Sequence, residues 1–377
     1  MTISPFLVAG AIGLAVAYLL TPFIVWLATR LGVLAQPGGR HIHRTPVPRL
    51  GGIAIYLAFV VAVLAGLPLE RAIKVTEDAH QILVTIPFTP AFDRPVIGVL
   101  LGATVITILG IIDDIRGVAP TEKLFGQLVA AVVPLSFGVG MDVLTNPLGG
   151  MVFLGPFGMA LTVIWLVALC NVMNLIDGID GLAAGIAAIA GGTVFIASYQ
   201  RGDLATAMLA VALIGGTLGF LPYNFSPARI FLGDTGSMLL GYLLGSLSVL
   251  GTYKSYTALS LLVPLVALGV PVLDTALAIT RRWRTRRPIF QPDTEHLHHR
   301  LLKRGLTQRQ VAIVLYLVTG VLGVGALLVS GFHGVHRVLL VAVLGLLSMA
   351  LVFGARRTGL LTPAPPPVAS GRHEVPK

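Results

Sequence analysis

Residues 161–181 read LTVIWLVALCNVMNLIDGIDG: an apolar run passes without a break into Asn171, Asn174, Asp177 and Asp180, spaced every three residues. With its upstream flank the apolar part covers 152–170, enough to cross roughly 30 Å of hydrocarbon as a helix. The four polar residues are near neighbours on a helical ladder, interleaved with Val172, Met173, Leu175 and Ile176. Such groups at the end of a span are costly unless they face a polar cavity or hydrogen-bond among themselves. Gly178 and Gly181 permit a break there and a close approach of backbone to a ligand. The segment reads as a membrane helix ending in chemistry.

The rest of the chain supports a membrane setting. Only 11% of the 377 residues are charged and 55% are apolar, with a mean hydropathy of +0.90; soluble domains carry roughly 25% charge. Long apolar stretches recur about eleven times, near 5–29, 51–67, 95–112, 124–139, 152–170, 182–199, 204–221, 235–250, 256–280, 310–331 and 336–354. The first is too long for a signal-peptide core and has no basic residue before it, so it reads as a retained helix. The expected fold is an all-α polytopic helical bundle: one integral membrane catalytic domain over 1–360 and a disordered Pro-rich tail over 361–377. Cys170, the single cysteine, excludes an internal disulfide and reads as a buried, inert thiol.

Orientation follows from Lys and Arg. Placing the 30–50 loop in the cytoplasm puts 20 of them on that side and 6 on the other, so the N-terminus lies outside and the C-terminus inside. The net charge of +10 then needs no nucleic acid. It fits contact with membrane lipids and a cytoplasmic site for a polyanion. The implied location is the inner (plasma) membrane, crossed many times.

Every other polar motif falls on the same face. Asp113 and Asp114 end the third span, where the negative pole of the helix and their mutual repulsion both penalise them. A cation or cationic substrate group would remove that penalty; an acidic cap facing water is the plainer reading. Asp234 follows Phe231-Leu232-Gly233 and opens the eighth span, as an N-cap or, beside the other acidic clusters, a metal ligand. Arg40-His41-Ile42-His43-Arg44 lies in the first loop, and Glu295-His296-Leu297-His298-His299-Arg300 in the last. Three imidazoles within four residues suit phosphate binding or proton transfer better than lipid anchoring. The hard Asp and Asn set favours magnesium over zinc. Asp274 is ambiguous and receives no catalytic role.

In this order the motifs resemble the polyprenyl-phosphate N-acetylhexosamine-1-phosphate transferases of glycosyltransferase family 4. That group includes undecaprenyl-phosphate N-acetylglucosaminyl-1-phosphate transferases and phospho-N-acetylmuramoyl-pentapeptide translocases. The resemblance covers about 30–350. Pro48-Arg49-Leu50-Gly51-Gly52, the His296-Leu297-His298-His299-Arg300 spacing and eleven spans favour the first branch. One departure is Ala35, where that branch usually has an acidic residue contributing to lipid binding or activity.

The resemblance implies Asn174 and Asp234 as ligands of Mg²⁺, with Mn²⁺ as the alternative ion. It implies a uridine pocket of Phe231, Gly178, Asp180 and Asn224, with Asn171 also among the substrate contacts. Asp113 and Asp114 would meet the lipid phosphate. Asp177, Arg44, His296, His298, His299 and Arg300 would line the diphosphate and sugar. The partners are then a UDP-sugar, UDP-GlcNAc by default, and polyprenyl phosphate, in a monomer or a homodimer. A lipid phosphate is already largely ionised at pH 7. Direct attack on the sugar-linked phosphorus, with Asp113 or Asp114 orienting the nucleophile and UMP leaving, is therefore favoured over obligatory general-base catalysis; a phospho-aspartate intermediate is the two-step alternative. Translocase-type activity is the near alternative. A lipid or solute transporter is the distant one, and transporters place their polar sites near the midplane, not at one face.

Overall fold

The computed structural model describes residues 4–36, 45–66, 69–77, 80–88, 93–145, 151–255, 269, 280 and 297–331. Ten helices run through them: α1 (Ser4–Arg30), α2 (Gly51–Leu64), α3 (Arg94–Arg116), α4 (Pro120–Leu135), α5 (Pro156–Ile176), α6 (Leu182–Gln200), α7 (Leu204–Asn224), α8 (Gly233–Ser255), α9 (Leu297–Lys303) and α10 (Gln308–Gly331). Six of them, α1, α3, α5, α6, α7 and α10, are long and apolar enough to cross a membrane. The protein is a polytopic, mostly helical membrane protein. The stretches 256–280, apart from residues 269 and 280, together with 336–354, the tail, Asp274, Arg44 and His296 lie outside the described residues.

The all-α expectation needs one correction. Three antiparallel two-stranded ladders interrupt the helices: β1 (Leu34–Ala35) with β2 (Val47–Pro48), β3 (Leu69–Glu77) with β4 (His80–Phe88), and β5 (Val143–Thr145) with β6 (Met151–Phe153). The β3–β4 hairpin has a sequence cause, since β-branched residues alternate through Ile73, Val75, Ile82, Val84 and Ile86.

Helix α8 is the axle of the bundle. From Thr235 to Leu250 it is buried all round, and α2, α3, α5, α6 and α7 all pack against it. The outer helices show the reverse pattern: Leu317, Val321, Val324 and Leu328 of α10 stay exposed at steps of three and four residues, a stripe suited to lipid. Lipid is as apolar as leucine, so close packing, not burial from water, holds such helices together. At the α1–α7 contact, Cβ atoms on Gly215 and Gly219 would come within 2.3 Å of Gly10 O and 2.2 Å of Leu14 O. The two glycines four apart let the backbones meet.

The same device builds the start of α8. A Cβ on Gly52 would come within 2.2 Å of Gly236 N, and one on Gly110 within 2.3 Å of Thr235 Cα. In return, the N–H groups of Gly51 and Gly52 donate to the carbonyls of Phe231 (3.1 Å) and Leu232 (3.0 Å), and Phe231 N–H donates to Pro48 O at 2.8 Å. Orphan donors of α2's first turn are thus satisfied by the loop that leads into α8. The Pro48–Gly52 motif docks two elements. Gly52→Ala should cost about 1–3 kcal/mol, the usual range for overpacking, because the obstructing atoms are backbone. A thermal-unfolding midpoint unchanged from wild type would contradict that packing.

Candidate functional site

The site is assembled where α3, α4, α5 and α8 converge. Asp234 sits in the first turn of α8, and Asn174 Nδ2 donates to its carboxylate and, at 2.9 Å, to Ser237 Oγ. Lys123, from the first turn of α4, places Nζ 2.5 Å from Asp234 Oδ1 and 2.8 Å from Asp113 Oδ2. One ammonium thus bridges two carboxylates that would otherwise repel, in a place where its own side chain is only 18% exposed. Lys123 escaped the sequence reading, which counted it among the loop charges. The signal was there: it is the one cation in a helix, PTEKLFGQLVAAVVPL, that is otherwise largely apolar.

Asp113 and Asp114 face different partners. Asp113 Oδ1 accepts Val118 N–H at 2.8 Å and shapes the turn after α3, while its Oδ2 faces Lys123. Asp114 turns the other way and is 8% exposed. Its Oδ1 accepts Asp234 N–H (3.0 Å), and its Oδ2 accepts Thr235 N–H (3.0 Å) and Thr235 Oγ1–H (2.6 Å). Asp114 therefore caps α8 from a distant helix, and the positive pole of α8 offsets the negative pole of α3. Gly233 makes room: φ is +74° there, and a Cβ would come within 2.4 Å of the Asp114 carboxylate.

The polar ladder after Cys170 fans out. Three residues turn a helix by about 300°, so each step moves roughly 60° around the axis. Asn171 Nδ2 bonds Gln127 Oε1 on α4 at 2.8 Å, and Gln127 Nε2 bonds Met238 Sδ on α8 at 3.3 Å. Asn174 faces Asp234. These partners let α5 continue to Ile176, beyond the apolar stretch. Asp177 follows the last residue of α5. Burial pushes its carboxyl well above the usual carboxylate range, Asp234, Asp114 and Asp180 push the same way, and Arg49 opposes them.

The residues expected to hold uridine lie on two facing loops. Gly178 is exposed and half-buried Phe231 precedes α8. Asp180 and Asn224 are already engaged with backbone. Asp180 Oδ2 accepts Ala228 N–H at 3.0 Å. Asn224 Oδ1 accepts Gly181 N–H at 3.1 Å and its Nδ2 donates to Ile230 O at 3.0 Å. The two side chains fasten residues 177–181 to 225–231. His298, His299 and Arg300 lie on α9.

The donor chemistry around Asp234 fits a hard divalent ion. Its carboxylate is 27% exposed, the amide of Asn174 is adjacent, and buried Asp113 Oδ2 touches Lys123 without a hydrogen bond of good geometry. Among the described residues, no group of three or more His, Cys, Asp or Glu is arranged to hold a metal. Magnesium asks for less than such a cage. It keeps several waters and usually takes one or two carboxylates plus substrate phosphates.

Comparison with known proteins adds an independent line. Residues 96–252 match the model of the glycosyl transferase family 4. A probable undecaprenyl-phosphate N-acetylglucosaminyl 1-phosphate transferase of Bacillus subtilis is 37% identical over 324 residues, covering 86% of this chain and 84% of the relative. A decaprenyl-phosphate N-acetylglucosaminephosphotransferase of Mycobacterium leprae is 38% identical over 339 residues, covering 84% and 82%. A phospho-N-acetylmuramoyl-pentapeptide-transferase of Desulforudis audaxviator is more distant, 31% identical over 354 residues, covering 86% and 98%. With Asp113 and Asp114 of α3, Asp177 after α5 and Asp234 of α8 inside the matched region, the chain belongs to glycosyl transferase family 4.

Proposed function

We propose that this protein transfers N-acetylglucosamine 1-phosphate from UDP-GlcNAc to a polyprenyl phosphate, releasing UMP. An oxygen of the lipid phosphate attacks the sugar-linked phosphorus, the bond between the two phosphorus centres' bridging oxygen and that phosphorus breaks, and UMP carries the electron pair away. The observation that carries the reading is the Asp113–Lys123–Asp234–Asn174 cluster at one end of the bundle, together with relatives named for this transfer.

Both reactants are anionic, so the site must neutralise charge and align them. Lys123 supplies a fixed positive charge beside Asp234. Asp234 and Asn174 would hold magnesium, which when bound would neutralise charge on the diphosphate oxygens. Asp113 orients Lys123, and Asp114 keeps α8 and hence Asp234 in register. The 177–181 and 225–231 loops form the nucleotide wall, with Phe231 offering a face to uracil. Eleven spans, an outer N-terminus and a cytoplasmic site in the plasma membrane complete the proposal, and the excess of Lys and Arg on one side supports that orientation.

The test is purified protein with polyprenyl phosphate, magnesium and a panel of UDP-sugars. UMP should appear with UDP-GlcNAc only when both lipid and metal are present; UMP release that ignores the lipid would refute the proposal. Phe231→Ala should weaken UDP binding by about 1–3 kcal/mol, the range for a base stacked on an aromatic ring. Equal UDP affinity in variant and wild type would remove Phe231 from the nucleotide wall.

A further inference from the structure

After α9, the chain turns through 304–307 and enters α10 by a capping box. Thr307 N–H donates to Gln310 Oε1 at 2.9 Å, and Gln310 N–H donates to Thr307 Oγ1 at 3.3 Å. Reciprocal caps of this kind fix the first turn of a helix and so aim its side chains. The two residues inside the box reach the loops described above. Gln308 Oε1 accepts the backbone N–H of Asp180 at 3.3 Å, and Arg309 Nε donates to Ser226 O at 2.5 Å. Two turns further on, Tyr316 Oη donates to Gly181 O at 2.6 Å.

Tyr316 reaches that carbonyl through a notch. A Cβ on Gly185 would come within 2.1 Å of Tyr316 Cζ, so only glycine admits the ring. Gly181 itself is left-handed, with φ of +78°, at the N-cap of α6. One helix therefore grips the 177–181 loop at two backbone points and the 225–231 loop at a third. Because the side chains of Asp180 and Asn224 already tie these loops to each other, the grip from α10 fixes the pair relative to the rest of the bundle. It also links them to α9, the bearer of His298, His299 and Arg300, through four residues of chain.

We propose that Gln308, Arg309 and Tyr316 are positioning residues that set the nucleotide wall for the UDP-sugar. This rests on the transferase reading above. None of the three needs to touch the substrate; each holds backbone that would.

The test uses the full chain in lipid nanodiscs with UDP as the probe, alongside steady-state kinetics. Tyr316→Phe keeps the ring in its notch and loses only the hydrogen bond. It should raise the UDP dissociation constant and the UDP-GlcNAc KM about tenfold, with the polyprenyl-phosphate KM and the unfolding midpoint unchanged. Exposed Arg309→Ala should act likewise, and Arg309→Lys, which still offers an N–H to Ser226 O, should regain most of the loss. Wild-type UDP affinity in both Tyr316→Phe and Arg309→Ala would overturn the proposal. So would equal increases in donor and acceptor KM with a lowered midpoint, the mark of general loosening. If wild type itself bound no UDP, the transferase reading would fall first and this one with it.

Discussion

Asp234→Asn is expected to cut turnover by at least about a hundredfold while the protein still folds. Removing one fixed electrostatic contact from a phosphoryl or acyl transfer site typically costs a factor of 10² to 10³, and Asp234 anchors more than one. Its carboxylate meets Lys123 and Asn174, and the asparagine would abolish the charge that attracts the ammonium. The fold should survive because the bond that fastens α8 comes from the backbone N–H of Asp234, not its side chain. Turnover and circular dichroism on the same preparation check this. Near-normal turnover with the same magnesium requirement would remove Asp234 from the centre of the mechanism.

Asp114 should fail in a different way from its neighbour. Asp114→Ala leaves two backbone N–H groups and a hydroxyl at the start of α8 without an acceptor. Orphaned buried donors cost about 1–3 kcal/mol each, and double-mutant cycles in membrane helices average lower, so a total of about 2–4 kcal/mol is expected. Asp114→Asn should cost less. One carboxamide oxygen still accepts, Thr235 Oγ1 can reverse its hydrogen bond, and a single N–H is left over. Asp113→Asn, in contrast, should barely move the unfolding midpoint and should lower turnover by loosening Lys123. Thermal unfolding of the three variants decides between these roles. Equal midpoints for Asp113→Asn and Asp114→Ala would contradict the capping role of Asp114.

These two carboxylates also show what could be read from the sequence. Long apolar runs gave α1, α3, α5, α6, α7, α8 and α10 within a few residues at most ends, because a helix that crosses lipid must satisfy its backbone internally. The runs understated α3 and α5, which extend through Asp114 and to Ile176. Their polar ends are stabilised by partners far away in the chain. Asp114 caps a helix that starts about 120 residues later, and no local pattern announces that. A penalty for two acids at a helix terminus was legible, and a cation was a sound inference for Asp113. For Asp114 the relief is another helix's positive pole. Lys123 was hidden for the same reason: its partners come from α3 and α8. The period-three ladder marked the right region, but its 60° drift sends Asn171 to α4 and Asp180 to the 225–231 loop. The β-branched alternation of β3 and β4 is a local pattern, legible without any distant partner.

In the proposed transfer a phosphate travels with the sugar. UDP-GlcNAc labelled in its sugar-linked phosphate, incubated with the purified protein, polyprenyl phosphate and magnesium, tests it directly. The label should enter the lipid fraction in step with UMP release. Label retained in the aqueous phase as UDP, with the sugar alone reaching the lipid, would contradict it.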